Sequence, residues 1–351
     1  MERKIKVAVL GATGAVGQRF VELLQDHPWF YLHELAASKE SAGRSYEEAV
    51  RGRWIVSGDV PETAKSMTVR ECRPDLESRL VFSALDSSIA GPIEEEFAKA
   101  GYIVSSNSRN HRMDPDVPLL IPEVNPEHLR VIERQKRNRR SHGYIITNPN
   151  CSTIGLAICL KPLYGRFGLR SVFVVTYQAL SGAGYPGVPA LAISDNVIPY
   201  IKDEEPKIEA ESLKLLGKYE NGRFEYADIR ISAQCARVNV TDGHLEAVSV
   251  ELGRKADLDE VVDALKTFKG LPQEYKLPSA PECPIIVREE EDRPQPKFDR
   301  MEGNGMPVVI GRIRKCNVLD YKFFLLSHNT MRGAAGTAVL NAELLNHEGY
   351  L

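Results

Sequence analysis

The chain has 351 residues, 43% of them hydrophobic and 26% charged, an ordinary balance for a globular protein of about two domains. Its formal net charge of −3 excludes a strongly basic nucleic-acid surface, and no apolar run is long enough to span a membrane. Six cysteines without close Cys or His spacing argue against a zinc site. We therefore expect a cytoplasmic enzyme with reduced thiols.

In the first part of the chain, short β-branched runs alternate with helical segments. Residues 4–10 form such a run, which meets a glycine turn and then an amphipathic stretch at 18–25. Further strands are predicted at 32–37, 80–84 and 102–105, with a helix at 90–99. This alternation predicts an α/β domain with a mostly parallel, Rossmann-like sheet covered on both faces.

The chain changes character after a basic run at 127–143, which we interpret as a solvated helix face and loop. Strands are predicted at 171–178, 233–240, 245–252 and 306–314, and helices at 208–219, 258–269 and 329–346. These strands indicate a second domain with a mixed or antiparallel sheet. We place the domain boundary near 148–150, which gives domains of residues 1–149 and 150–328.

A glycine loop follows the first strand and opens the first helix. Gly11, Gly14 and Gly17 recur every third residue, which permits a tight turn and a close approach of backbone to a pyrophosphate at the helix N-terminus. The alternative is a glycine-rich turn without a ligand. The predicted dinucleotide contacts in this loop are Gly11, Thr13, Gly14, Ala15 and Val16.

The residues after the second strand indicate which dinucleotide is bound. NAD sites usually carry Asp or Glu there for the ribose 2′-hydroxyl, whereas this chain continues SKESAGR over residues 38–44. Two hydroxyls, a lysine and an arginine favour a 2′-phosphate, and Glu40 is the one residue against it. The prediction is NADP, with Ser38, Ser41 and Arg44 as contacts.

Cys151 stands on the step between a short apolar run and a helix, in the sequence NPNCST. Free cysteine is often a buried filler residue, but at a helix N-terminus its pKa is lowered and it can act as a nucleophile. The backbone N–H groups of Ser152 and Thr153 are expected to be free to stabilise an oxyanion. Cys159 and Cys235 lie in apolar patterns and are interpreted as core residues.

Three further features carry groups that a thiol enzyme would need. His244 follows a glycine turn and titrates near neutrality, although a loop histidine is often only a surface residue. Arg237 lies in the strand before that turn, as a buried ion-pair partner or as a clamp for a substrate carboxylate. Glu211 and Lys214 share a helix face and form either an ion pair or part of a site.

Together these motifs resemble the aspartate-semialdehyde dehydrogenase family, in the branch found in archaea and fungi. The similarity runs from VAVLGATGAVGQRF through SNSRNHRMDPDVPLLIPEVN, NPNCSTIGL, QALSGAGYPG and RVNVTDGH to NTMRGAAG. It implies NADP-dependent, reversible conversion of L-aspartyl-4-phosphate to L-aspartate 4-semialdehyde, on the route to Lys, Thr, Met and Ile. It also implies a catalytic domain of the glyceraldehyde-3-phosphate-dehydrogenase-like type, a C-terminal helix (329–351) that completes the nucleotide domain, and a homodimer or homotetramer.

The resemblance assigns catalytic and substrate-binding roles position by position. Cys151 is similar to the family's acyl-accepting nucleophile, His244 to its acid/base, and Gln178 to the glutamine that orients the acyl group. Arg237 matches the arginine that binds the substrate α-carboxylate. Glu211 resembles the carboxylate that receives the substrate ammonium group.

Phosphate and cofactor contacts follow from the same resemblance. Lys214, Arg112 and Asn107 resemble phosphate-binding residues, and Arg109 is an open alternative to Arg112. Contacts near the nicotinamide end of NADP match Ser181, Gly182 and Asn329. The expected partners are these small molecules, with no nucleic acid, membrane or metal.

Three alternatives remain open from the sequence: a malonyl-CoA reductase on the same scaffold, an N-acetyl-glutamyl-phosphate reductase, and a non-catalytic NADP-binding sensor. The asparagine before Cys151, together with Glu211, favours an amino-acid substrate over malonyl-CoA. The combination of Cys151, His244 and Arg237 argues against a sensor, since a sensor needs no nucleophile.

Overall fold

The computed structural model describes residues 4–351. Its strands are β1 (Ile5–Leu10), β2 (Phe30–Ala37), β3 (Val69–Glu71), β4 (Leu80–Ser83), β5 (Ile103–Ser106), β6 (Tyr144–Thr147), β7 (Leu169–Gln178), β8 (Lys218–Glu220), β9 (Arg223–Glu225), β10 (Arg230–Arg237), β11 (His244–Leu252), β12 (Ile285–Arg288), β13 (Val308–Lys315) and β14 (Tyr321–Ser327). Its α-helices are α1 (Ala15–Leu24), α2 (Tyr46–Val50), α3 (Glu62–Lys65), α4 (Ser87–Lys99), α5 (Ile132–Arg139), α6 (Cys151–Phe167), α7 (Ala190–Ile193), α8 (Glu204–Leu216), α9 (Leu258–Lys266), α10 (Leu271–Glu274), α11 (Pro296–Asp299) and α12 (Gly336–His347). A π-helical turn, Met331–Ala335, precedes α12. None of the helices in residues 4–351 is both long and apolar enough to cross a membrane.

The first sheet confirms the predicted Rossmann-like α/β architecture. Its six strands are all parallel and lie in the order β3-β2-β1-β4-β5-β6. The order of addition reverses between β1 and β4, whose residues 7–10 pair with 80–83. Ligands of such sheets bind outside the carboxyl ends of the strands at this reversal, which is where the glycine loop lies.

The second sheet is mixed, as predicted, in the order β10-β7-β11-β14-β13-β12. Only its two edges, β10 with β7 and β12 with β13, pair in parallel. Strand β14 was not predicted, because its apolar run at 323–326 does not alternate and is typical of a helix or a strand alike. The strand predicted to reach residue 240 ends at Arg237, which closes β10.

Helix α8 begins at Glu204, four residues before the predicted start, and ends at Leu216. Glu204 and Glu205 occupy its first turn, where carboxylates are favoured by the helix dipole. Gly217 follows its last residue, and the chain continues as β8 rather than as helix. This earlier start brings Glu204 onto the helix.

Two helices connect the sheets to the site. Three residues separate the end of β6 from the start of α6, and Ile154, Leu156 and Ala157 of α6 belong to the core of the second sheet. Helix α12 returns to the first sheet, where Ala338 and Val339 join its core. The cysteine therefore lies between the two sheets.

Candidate active site

Asn150 caps helix α6 and so determines the surroundings of Cys151. Its side-chain Oδ1 accepts hydrogen bonds from the backbone N–H groups of Ser152, at 3.0 Å, and Thr153, at 3.2 Å. The expectation that these two groups are free is therefore wrong, because a capping side chain uses them. An oxyanion at this site needs other donors.

Cys151, at the start of α6, and His244, at the start of β11, are in direct contact. The Cys151 Sγ lies 3.2 Å from Nε2 of His244, which begins β11 and is fully buried. The backbone N–H of Ala179 donates to Nδ1 of His244 at 3.1 Å. Since Nδ1 accepts, the neutral ring carries its proton on Nε2 and points it towards the sulfur.

Burial dominates the electrostatics of this pair. It raises the pKa of Cys151 to about 12, with Glu204 adding to the rise, while Arg112 and Arg237 oppose it. Burial also lowers the pKa of His244 to about 3, helped by Arg237. The lowered thiol pKa expected at a helix N-terminus is thus outweighed by desolvation. The resting pair is a neutral thiol beside a neutral imidazole.

Arg237 is a buried cation whose pKa is lowered by burial, and the charge of Glu204 opposes this. It is 6% exposed, and the ion pairs found within residues 4–351 do not include it. Its Nη1 donates to the carbonyl oxygen of Ala179 at 2.6 Å, so one peptide unit holds both Arg237 and His244. A Cβ atom on Gly182 would lie 2.8 Å from Nη1 of Arg237 and 3.0 Å from Cε1 of His244. A desolvated guanidinium in this setting favours binding of an anion.

Glu204 is a site residue that sequence reasoning missed. It is 6% exposed, and its Oε1 accepts from Nδ2 of Asn150 at 2.8 Å and from Nε2 of Gln178 at 3.1 Å. Lys207, one turn further along α8, donates to Oε2 at 3.3 Å. These contacts bring the predicted Gln178 together with the cysteine's cap residue. They also place a carboxylate beside the thiol.

Glu211, predicted to receive the substrate ammonium group, is engaged with protein groups in this structure. Its Oε1 accepts from Nη1 of Arg112 at 2.9 Å, and its Oε2 accepts from the backbone N–H of Asn150 at 2.6 Å. Both oxygens accept from protein donors and the residue is 2% exposed, so in this structure Glu211 serves Arg112 and Asn150, and its ammonium-binding role stays a prediction. Glu211 instead links Arg112 to the start of α6.

Lys214, predicted to bind phosphate, is likewise engaged with protein groups. It is fully buried, and its ammonium group donates to the carbonyl oxygens of Arg112, Asp114 and Val117 at 2.7, 3.0 and 2.9 Å. All three donors are used, which leaves none for a phosphate. The alternative of an ion pair with Glu211 is not formed either. Lys214 fixes the loop that carries Arg112.

A sequence signal for Glu204 and Lys207 was present. Within α8 the pattern E-x-x-K occurs twice, at 204–207 and at 211–214, and the two copies are seven residues apart. Seven residues are two helical turns, so both copies lie on one face of α8. Sequence reasoning chose the second copy. Both copies contact Asn150, but only Glu204 of the first copy also contacts Gln178.

The loop around Arg112 distinguishes it from Arg109. Arg112 is 7% exposed, and besides Glu211 it contacts the carbonyl oxygen of Asn107, at 2.9 Å. Arg109 is exposed and pairs with Asp203 at 2.9 Å. Asn107 accepts from Asn148 at 2.9 Å through its side-chain oxygen. Of these two arginines, Arg112 is the buried one, and its charge opposes the rise that burial causes in the pKa of the Cys151 thiol.

The glycine loop has the shape that a dinucleotide requires. Gly11 has a φ of +74°, and a Cβ atom there would lie 2.7 Å from the carbonyl oxygen of Ala84, which follows β4. A Cβ atom on Gly17 would lie 2.2 Å from the carbonyl oxygen of Gly11. Helix α1 begins at Ala15 and has no acidic residue in its first turn. These features fit a pyrophosphate on the helix N-terminus.

The remaining predicted cofactor residues lie in three places: the cavity between α1 and the loop after β7, the segment after β2, and the turn into α1. Ala15 and Ser181 line one cavity of about 200 Å³ between α1 and the loop after β7. Asn329 closes this region by donating to Ser181 Oγ at 2.8 Å and accepting from the backbone N–H of Gly243 at 2.9 Å. After β2, Ser38 and Arg44 are exposed while Ser41 is buried. Thr13 and Val16 lie at the turn into α1.

Gly333 forms part of the wall beside the cysteine, and sequence reasoning missed it. A Cβ atom on Gly333 would lie 2.9 Å from Cβ of Cys151. Nearby, Nδ2 of Asn148 donates to the carbonyl oxygen of Ala334 at 2.7 Å. The π-helical turn therefore packs directly on the segment that carries the thiol.

A dinucleotide-type sheet joined to a thiol–imidazole pair indicates a thiol-dependent dehydrogenase, and the family models narrow the class to the semialdehyde dehydrogenases. Residues 6–132 match the semialdehyde dehydrogenase NAD binding domain, and residues 160–332 match the semialdehyde dehydrogenase dimerisation domain. The aspartate-semialdehyde dehydrogenase of Archaeoglobus fulgidus is 54% identical, over 98% of this chain and 99% of its own. The crystal structure of the Candida albicans enzyme with NADP has a TM-score of 0.92 at 41% identity, covering 99% of this chain and 100% of its own. The chain belongs to the aspartate-semialdehyde dehydrogenase family.

A protein named malonyl CoA reductase (NADP), from Metallosphaera sedula, is also similar. It is 43% identical over 100% of this chain and 99% of its own. Similarity over the full length therefore does not by itself decide whether the acyl group passes to phosphate or to CoA.

Proposed function

We propose that this protein is an NADP-dependent aspartate-semialdehyde dehydrogenase, which interconverts L-aspartyl-4-phosphate and L-aspartate 4-semialdehyde. The observation that carries the proposal is the 3.2 Å contact between Cys151 and His244 beside the unpaired guanidinium of Arg237. A thiol and an imidazole supply acyl transfer, and the arginine supplies recognition of a carboxylate.

NADP fits the chain's nucleotide region, and when bound it accepts or supplies the hydride. Gly11, Gly14 and the start of α1 would hold the pyrophosphate, while Ser38 and Arg44 would meet the 2′-phosphate. The cavity lined by Ala15 and Ser181 would receive the nicotinamide end. Ser181, Gly182 and Asn329 thereby keep their predicted place near it.

The chain's own residues divide the remaining work. In the oxidative direction the Cys151 thiol first loses its proton to solvent. The thiolate sulfur then bonds to the aldehyde carbon as the C=O π electrons move to oxygen, and the N–H on Nε2 of His244 is placed to hydrogen-bond the resulting oxyanion. After hydride departs, the thioester carbon is attacked by phosphate, and the carbon–sulfur bond breaks to release the thiolate. Gln178 would orient the acyl group.

Charged groups around the thiol suit the substrate's ends. Arg237 would bind the α-carboxylate, and Glu204 would take the ammonium-binding role first assigned to Glu211. Arg112 and Lys207 would bind phosphate, with Asn107 holding Arg112. Lys214 is not kept as a phosphate ligand, because its donors are used within the loop.

The larger organisation is proposed on the same basis. Residues 1–149, completed by 329–351, would form the nucleotide domain, and 150–328 the catalytic and dimerisation domain. Helices α6, α8 and α9 contribute to the core on one face of the second sheet, while Phe173 on β7 is 39% exposed. We place a homodimer contact on that open face. A homotetramer would pair two such dimers, and light scattering distinguishes the two. A cytoplasmic location agrees with the six cysteines found in residues 4–351, which are free of disulfide bonds.

One assay tests the function. L-aspartate 4-semialdehyde, NADP and phosphate are supplied, and absorbance of NADPH is followed. Turnover must require phosphate and must be lost in Cys151→Ala. Equal turnover with CoA in place of phosphate would instead indicate an acyl-CoA reductase, and no NADP reduction with either acceptor would refute the proposed activity.

A further inference from the structure

A buried carboxylate–imidazole pair lies beneath the loop that carries Arg112. Glu94 on α4 is fully buried, and His111 is 5% exposed. Oε2 of Glu94 and Nε2 of His111 lie 3.8 Å apart, and neither atom has a hydrogen-bond partner. Two orphaned polar atoms that face each other in the interior form an interaction only if one of them carries a proton.

The other ends of both side chains are fixed. Oε1 of Glu94 accepts from Ser106 Oγ at 2.7 Å, at the last residue of β5. Nδ1 of His111 lies 3.0 Å from Oδ2 of Asp114, a carboxylate that also pairs with Arg139 on α5 at 3.1 Å. His111 is thus held between two carboxylates, one on α4 and one on its own loop.

Arg112 follows His111 directly, and its neighbours tie its position to that of the pair. Lys214 anchors the carbonyl oxygens of Arg112 and Asp114 from below. Arg112 bears on the charge of both Glu94 and Cys151. A change in the charge of His111 therefore acts at the point where the loop presents its guanidinium to the thiol.

We propose that Glu94 and His111 are positioning residues whose buried pair holds Arg112 in place for phosphate while His111 carries a proton. This inference rests on the proposed function, since it assigns a regulator to the phosphate subsite. The imidazolium bridges Glu94 and Asp114. When it loses the proton, the two carboxylates face each other without a cation between them, and the loop loosens.

The sign of the expected pH dependence follows from the groups that face His111. Burial opposes its charged form, but the hydrogen bond that His111 donates to Asp114 and the charges of Glu94 and Asp114 outweigh burial and Arg139, so the pKa of His111 is raised. Burial likewise raises the pKa of Glu94. Phosphate binding should therefore be strong below the raised His111 pKa and weaken as the pH rises through it.

The test measures KM for phosphate, KM for NADP and kcat between pH 6 and 9 for the wild type, His111→Gln and Glu94→Gln. Since phosphate itself titrates, the informative quantity is the ratio of wild-type to variant KM at each pH. We expect the variants to raise KM for phosphate about 5- to 50-fold at low pH, a typical coupling between sites. The difference should vanish at high pH, with kcat and KM for NADP nearly unchanged.

His33→Gln is the matched control, because His33 also contacts a glutamate, Glu77, at 3.1 Å but far more exposed. It should behave as wild type. A pH-independent ratio, or a lower melting temperature with no change in KM for phosphate, would overturn the inference. If wild type shows no phosphate-dependent turnover at any pH, the proposed function itself fails, which is a distinguishable result.

Discussion

Glu204 and Glu211 lie two turns apart on one face of α8, and both carboxylates bind Asn150. Glu204 accepts from its side-chain amide at 2.8 Å, and Glu211 accepts from its backbone N–H at 2.6 Å. The two contacts have different consequences, because only Glu204 also contacts Gln178. Glu204 therefore arranges side chains of the site, whereas Glu211 fixes the backbone at the start of α6.

Substitutions at these two positions should separate binding from stability. Glu204→Gln should raise KM for the semialdehyde about 10- to 100-fold, the value of a hydrogen bond to a charged group. Glu211→Gln leaves Arg112 buried without its partner and should lower the free energy of unfolding by about 3–5 kcal/mol. Kinetics and denaturant unfolding of both variants check this. The reverse pattern would restore Glu211 as the ammonium ligand.

Substitutions of Cys151 and of His244 should reduce kcat to different extents. Cys151→Ala should reduce kcat by about 10⁴-fold or more, since no other group can form the thioester. His244→Asn should reduce it by about 10²- to 10⁴-fold, as general acid–base groups do. Cys283→Ala removes an exposed thiol and is the control. An active Cys151→Ala enzyme would contradict the mechanism.

The pH dependence of thiol modification tests the resting state of the pair. Burial raises the pKa of Cys151 to about 12, so in the free enzyme its alkylation should be slow at pH 7 and still accelerate above pH 9. Cys316 provides an internal comparison, because backbone N–H groups of Leu319 and Val318 lower the pKa of its thiol. Peptide-resolved mass spectrometry with iodoacetamide should find Cys316 reacting at lower pH. Fast alkylation of Cys151 at pH 6 would show that it rests as a thiolate.

Glycines at the site should not tolerate a methyl group. Gly333→Ala places its Cβ atom 2.9 Å from Cys151, which should cost about 1–3 kcal/mol of stability and reduce kcat. Gly165, on the same helix as the cysteine, has nothing within 4 Å of an added Cβ atom. Gly165→Ala should therefore raise stability by up to about 1 kcal/mol through helix propensity. Thermal melts and kcat of both variants decide the matter.

Cofactor choice should depend on Arg44. Arg44→Glu should lower kcat/KM for NADP about 10- to 100-fold with little effect on NAD, because a cation beside the 2′-phosphate is replaced by an anion. Arg51→Glu makes the same charge change at another exposed arginine. If both variants behave alike, the effect is one of net charge and Arg44 is not a contact.

Sequence patterns predicted the alternating first domain, the mixed second sheet and the positions of Cys151, His244 and Arg237. They could not choose between two equal E-x-x-K copies on α8, because helical periodicity is the same for both. The expectation that the N–H groups of Ser152 and Thr153 are free overlooked Asn150, because asparagine directly before a helix is a common capping residue. Gly333 and Ala179 act through contacts distant in sequence, which no local pattern contains.

The wall that Gly333 forms has a consequence for how the protein is made. During synthesis Cys151 leaves the ribosome long before residues 331–335 exist, and α12, which completes the first core, comes later still. Until residues 331–335 pack against it, Cys151 stays accessible to water and to oxidants. Packing of residues 331–335 thus both forms the wall of the site and protects the Cys151 thiol.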